Sequence, residues 1–179
     1  SDETSAGIEI SSNGTGPFSW IVGFNYFDQE VNYDYDLRLG PIGAGNVSVS
    51  QGWATYNLDT YGIFASAEYD LSDTWTISLG GRYTNEEKEI YLRPSTTEYA
   101  QNQRLTLGAA LLPNTDSEEW SSFDPKVTLT YNFANGGIAY ATYSTGFKSG
   151  GYNYPTRQGG EPLDPEELDM IEFGYKADL

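Results

Sequence analysis

Carboxylates are the abundant side chains here that could carry acid–base or metal chemistry. The 179 residues hold 26 Asp and Glu against 9 Lys and Arg, with no His and no Cys. That composition excludes disulfides, cysteine nucleophiles, Ser-His-Asp triads and metal centres built on His or Cys. Asp164, Glu166, Glu167 and Asp169 form one dense group, and Asp34 and Asp36 a smaller one. Oxygen donors of this kind suit calcium. Their spacing lacks the central Gly and final Glu of an EF-hand loop, so both groups read as solvated charge and no metal site is expected. No pair of carboxylates is spaced to support glycoside hydrolysis. Neither an enzyme nor a cofactor is expected. The net charge of −17 argues against nucleic acid, whose phosphates need a basic patch. Tyr152, Tyr154 and Arg157 are candidates of another kind. Aromatics with Arg in a long loop suit direct contact with a small-molecule ligand.

The elements that must position these residues are strands. Around the turn Asn135-Gly136-Gly137, Val127, Leu129, Tyr131 and Phe133 alternate with Lys126, Thr128, Thr130 and Asn132. Past the turn, Ala139, Ala141, Tyr143 and Phe147 alternate with Tyr140, Thr142, Ser144 and Lys148. Such a period of two writes one apolar face and one polar face, and Asn-Gly-Gly tolerates the positive φ of a tight hairpin. The same alternation runs through Thr4–Ser12, Phe18–Phe27, Tyr61–Leu71, Trp75–Glu86 and Met170–Asp178. It predicts an all-β, antiparallel up-and-down meander of seven strands. On the polar faces stand Glu68, Arg82, Lys126, Glu172 and Lys176, which read as a wet network along a lumen. Gly80, Gly81, Gly150 and Gly151 read as sites of bends or close backbone approach.

The connections alternate short and long. Residues 13–17, 72–74 and 135–137 are tight turns. Residues 28–58, 87–119 and 148–165 read as long loops, with strand extensions considered at Val31–Leu39 and Val47–Tyr56, and with Leu105–Leu112 open between helix and strand. Alternating loop lengths, with aromatics near the short turns, are the habit of outer-membrane barrels, whose tight turns face the periplasm. The mean hydropathy of −0.52 does not oppose this, because a spanning strand shows only every second residue to lipid. Bacterial single-chain barrels are even-numbered and closed, so seven strands read as part of a larger barrel. Ser1 is followed by polar residues without a signal peptide, as in a mature chain or an excised piece.

Four stretches then carry a family resemblance. Residues 140–153, YATYSTGFKSGGYN, resemble the "YAsyskGFksGGfN" signature of the TonB-dependent receptors. Residues 165–176, PEELDMIEFGYK, are similar to that family's "PEtldnyEiGlK", residues 75–84 to its "ltltaGlRYt", and residues 123–131 to its "ftPkvslsY". Residues 17–27, PFSWIVGFNYF, resemble its "wvaGlyyf" strand. Just before it the chain departs from the family's "ElRl", with Gly7 in place of Glu and Glu9 in place of Arg. The resemblance implies a segment of a barrel of about 22 strands in the bacterial outer membrane, spanning residues 1–179 as one unit without a recognisable plug domain or TonB box. It further implies import of a scarce nutrient such as a ferric siderophore. The implied partners are outer-membrane lipid, the remainder of the barrel, the plug, TonB acting through that plug, and the small-molecule ligand. A soluble acidic β-sandwich, either an adhesin or a carbohydrate-binding module, is the alternative. It accounts for the aromatics and the acidity, but not for the alternation of loop lengths.

Overall fold

The computed structural model describes residues 1–39, 47–95, 114–152 and 162–177, with only the backbone path at 35–39, 47–53, 92–95 and 114. Seven strands follow in chain order: β1 (Asp2–Ser11), β2 (Phe18–Leu39), β3 (Val47–Asp70), β4 (Trp75–Ser95), β5 (Asn114–Asn132), β6 (Ile138–Lys148) and β7 (Glu166–Lys176). They form one sheet in the order β1-β2-β3-β4-β5-β6-β7, each antiparallel to the next. The expected meander is therefore present. The sandwich alternative needs two packed sheets, and the described strands make one.

Local chemistry explains the turns at one end of the sheet. Gly136 takes φ 87°, which a side chain resists. Phe133 N–H bonds Gly137 O at 2.8 Å across that turn. Ser72 Oγ accepts from the backbone N–H groups of Thr74 and Trp75, closing the β3–β4 turn. The longer connections lie at the opposite end.

Pairing register aligns one apolar face across every strand. Ile8 faces Phe24, which faces Ile63, which faces Tyr83, which faces Phe123. A second row runs Trp20, Ala67, Leu79, Val127, Tyr143 and Ile171. Apart from the half-buried Ala67 these side chains are exposed, and Phe173 on the same face reaches 79%. Aromatics bound the band at both ends of four strands. Phe18–Tyr26, Tyr61–Tyr69, Trp75–Tyr83 and Phe123–Tyr131 are nine residues each. Nine to eleven residues is about the length that carries a tilted strand across hydrocarbon. At the turn end the rings touch one another. Trp75 and Tyr131 centroids lie 4.8 Å apart, Tyr131 and Phe133 4.8 Å, Phe133 and Tyr175 5.7 Å. Within the band Gly81 is required by a close approach, since a Cβ there would meet Phe123 Cζ at 2.7 Å.

Beyond the band the strands continue, and here the sequence reading needs correction. Residues 28–58 and 87–119 were read as long loops, with strand extensions considered at Val31–Leu39 and Val47–Tyr56. Those two extensions are present, since β2 runs to Leu39 and β3 begins at Val47, but β4 also runs to Ser95 and β5 begins at Asn114, where loop was expected. The Leu105–Leu112 stretch lies outside the described residues. The physical reason is an inversion of the two faces. On the face that carries the apolar band, the next residues are Asp28, Asp59, Glu87 and Glu119, aligned in one row. On the other face, Val31, Tyr56 and Ile90 align, beside the paired Tyr33 and Ala54. Ala54 and Ile90 are each 2% exposed and are the buried apolar core of the described residues. The period of two persists, but its polarity switches sides. The Asp164–Asp169 group was likewise expected in a loop. Glu166 to Asp169 lie in β7, where Tyr143 Oη donates to Asp169 Oδ1 at 2.8 Å.

Register yields a direct test in the intact protein. Val127 lies in the middle of the apolar band, and Thr128 is on the reverse face, bonded to Thr142 at 2.9 Å. Val127→Arg should lower bilayer stability by about 2–4 kcal/mol, and Thr128→Arg by much less. Urea titration of protein folded in lipid vesicles measures both, and the opposite order would reverse the assignment of faces.

Candidate functional site

The site is assembled above the band, on the face bearing Ile90. There β4 contributes Glu86, Lys88 and Ile90, β3 contributes Tyr56, β2 contributes Tyr33 and β5 contributes Trp120. After Lys148 the chain leaves β6 and crosses this face as a strap, Ser149 to Tyr152. It returns through Leu163, where Gly151 and Leu163 form an isolated antiparallel bridge with N–H to O distances of 3.3 and 2.7 Å. Between wall and strap lies a cavity of about 510 Å³, lined by Tyr33, Tyr56, Ile90, Tyr152 and Leu163 among others.

One cation ties the two sides together. Lys88 Nζ donates to Ser149 Oγ at 2.6 Å and to Gly150 O at 2.7 Å, and pairs with Glu86 Oε1 at 2.7 Å. Ser149 Oγ donates to the same Glu86 oxygen. Trp120 walls this cluster. Lys88 Nζ lies 5.6 Å from its ring centroid, and Tyr152 meets it edge-on at 6.4 Å. Chemically, the arrangement offers phenol and indole faces, a half-buried phenolic hydroxyl and a neutralised ion pair. That suits binding of an aromatic or chelate-bearing small molecule rather than bond-breaking.

Sequence-selected residues fall in several places. Tyr152 lines the cavity, whereas Tyr154 and Arg157 lie outside the described residues. Glu68 and Glu172 belong to one polar row with Ser78, Thr128 and Thr142. Glu172 Oε1 accepts from Tyr140 Oη at 2.6 Å. Arg82 Nε donates to Thr84 Oγ1 at 3.0 Å, and its guanidinium covers Gly62. Lys126 is paired opposite Ser144, and Lys176 opposite Ile138 at the turn end. None of these five lines the cavity. Tyr56, Glu86, Lys88, Ile90 and Trp120 were missed as site residues. A period-two signal was available for them in Tyr33, Val31, Ala54, Tyr56, Lys88 and Ile90, which share one face. Gly150, read as a close-approach glycine, has that geometry: a Cβ would lie 2.6 Å from Trp120 Cε2 and closer still to Leu163 O.

Burial, and after it the Glu86 carboxylate, pushes the Tyr56 phenol up to about 12. The folded state thus favours the neutral phenol. Its stabilising effect is complete below the ordinary tyrosine value of about 10 and is lost as pH rises through about 12. In an ultraviolet pH titration, Tyr56→Phe should remove absorbance change only at the alkaline extreme. A loss centred on the ordinary tyrosine value would place this phenol in water.

Comparison with known proteins agrees with this geometry. The family described as "TonB dependent receptor-like, beta-barrel" matches residues 2–179. Among solved structures, the ferric yersiniabactin uptake receptor FyuA from Yersinia pestis superposes with a TM-score of 0.78 at 12% identity. The match covers 99% of this chain and 26% of that receptor, so this chain spans about a quarter of its length. At that identity the likeness speaks for the fold, while the family match covers nearly every residue. The chain belongs to the TonB-dependent receptor β-barrel family.

Proposed function

We propose that this chain is a wall segment of a receptor in the bacterial outer membrane that imports a scarce nutrient such as a ferric siderophore. Receptors of this family are transporters rather than enzymes, and their setting is the outer membrane. The observation that carries the reading is the inversion of faces. Inside the band the strands turn apolar side chains outward and polar ones inward. Above the band they turn carboxylates outward and build an aromatic cavity inward. A ligand arriving from outside would meet that cavity before the polar lumen. The matched FyuA structure is a ferric yersiniabactin uptake receptor, which supports a ferric chelate as the ligand class.

In this reading residues 1–179 are one barrel unit. Glu68, Arg82, Lys126, Glu172 and Lys176 line or rim the lumen, where a plug would sit. Tyr152 contacts the ligand, with Tyr154 and Arg157 following it on the same connection. TonB acts through the plug, and lipid covers the aromatic band.

Iron-limited cells expressing the full-length receptor should accumulate radioactive iron presented as a ferric chelate, and a deletion strain should not. Tyr152→Ala should raise the half-saturating concentration roughly tenfold, about 1.4 kcal/mol, with the maximal rate retained. Equal accumulation in the deletion strain for every hydroxamate, catecholate and phenolate chelate tried would overturn the iron reading.

A further inference from the structure

We propose that Lys88 is a positioning residue: it fixes the gap between β4 and the strap Ser149–Tyr152 and thereby creates the cavity. The proposal deepens the ligand-binding reading above and rests on it. The Lys88 side chain is 13% exposed and that of Glu86 20%, so this pair is largely withdrawn from water. The three ammonium donors meet Ser149 Oγ, Gly150 O and Glu86 Oε1, each at 2.6–2.7 Å. Two of those acceptors belong to the strap and one to the wall. The four-carbon stem therefore spans the gap with a partner at its far end. Breaking a buried pair from one side leaves an uncompensated charge, which is strongly unfavourable.

Another ion pair at this connection is of a different kind. Lys148 and Glu166 meet at 2.9 Å, but both side chains are 74% exposed. Exposed pairs contribute little. The strap's own bridge, Gly151 to Leu163, joins its outgoing limb to its returning limb and not to the wall. Among the described residues, attachment to β4 and β5 includes the Lys88 cluster and the packing of Gly150 and Tyr152 against Trp120. Removing the ammonium would free the strap to collapse onto Ile90 or to swing away. Either motion destroys the cavity without touching the lining residues Tyr33, Tyr56 or Tyr152.

The test uses the full-length receptor reconstituted in lipid, with any cysteines outside this segment replaced. This segment has none. Gly151→Cys provides one attachment point for a nitroxide, because its nearest neighbour beyond the adjacent chain would be Lys88 Nζ at 4.0 Å from the new Cβ. The spin-label spectrum should be broad and immobilised in the parent, and should narrow in Lys88→Met, which keeps stem length without donors. Lys88→Arg keeps charge and donors on a longer, planar head, and should restore the broad spectrum in part. Ser149→Ala removes the hydroxyl shared with Lys88 and Glu86 without removing a charge. It should narrow the spectrum partially, and it carries the test if Lys88→Met does not assemble. Identical spectra in the parent, Lys88→Met and Ser149→Ala would overturn the proposal. A separate readout tests the underlying reading. If Lys88→Met mobilises the strap yet leaves iron accumulation at its parental half-saturating concentration for every chelate, the cavity is not the ligand site, although the tie stands.

Discussion

An amide or carbonyl without a partner in hydrocarbon costs several kcal/mol, and the rest of this structure follows from avoiding that cost. At membrane depth a strand can satisfy its backbone only through its neighbours. Pairing is continuous through the apolar band on β1 to β4, from Ser11↔Ile21 to Asp2↔Glu30 and from Asp70↔Thr76 upward. The register shift in the β2–β3 ladder falls at Leu37/Arg38, well beyond the band. That irregularity is placed where an unpaired group costs least. Pro125, which has no N–H, lies within the band, paired with Gly81 of β4 and one residue past the last β5–β6 pair, Lys126↔Ser144.

Continuous register has a second consequence. It aligns side chains into rows, so each row experiences one environment. Within the band the outward rows are mostly Val, Leu, Ile, Ala and aromatic, and the inward rows are mostly Ser, Thr, Gly and charged, with Ile21, Phe64 and Tyr140 among them. Once the strands leave hydrocarbon, the outward row becomes Asp28, Asp59, Glu87 and Glu119. Like charges placed directly opposite repel one another. The row is softened by local donors, including Tyr26 Oη to Asp59 at 2.7 Å and Ser117 Oγ to Glu87 at 3.0 Å. The inward row is then free to become apolar, which is why the buried apolar core of the described residues, Ala54 and Ile90, lies above the apolar band.

This switch also explains what the sequence disclosed. The seven strands, their order and the lipid-facing set were legible, because Phe18 to Tyr26 or Trp75 to Tyr83 keep one face apolar for nine residues. The upper halves of β4 and β5 were not, and those of β2 and β3 were seen only as extensions within a loop, because Asp28 and Glu87 interrupt the face that had been apolar. A reader following one face sees the pattern stop, although Val31, Tyr33, Tyr56 and Ile90 continue it on the other. The candidate site was hidden for the same reason. Tyr152 was found because aromatics in a long connection attract notice. Lys88 and Trp120 were passed over because their partners lie on another strand or on the strap, 61 residues away in the case of Lys88 and Ser149.

The central claim is that the two faces exchange polarity at the outer edge of the apolar band. Nitroxides placed singly along β4, from Ile77 to Ile90, in the full-length receptor in lipid would test it most directly. Relaxation by oxygen, which concentrates in lipid, should peak at Ile77, Leu79 and Tyr83. Relaxation by a water-soluble nickel chelate should take over at Glu87 and Glu89, with both weak at the buried Ile90. Oxygen accessibility that stays high at Glu87 and Glu89, or that fails to alternate between Leu79 and Gly80, would contradict the account.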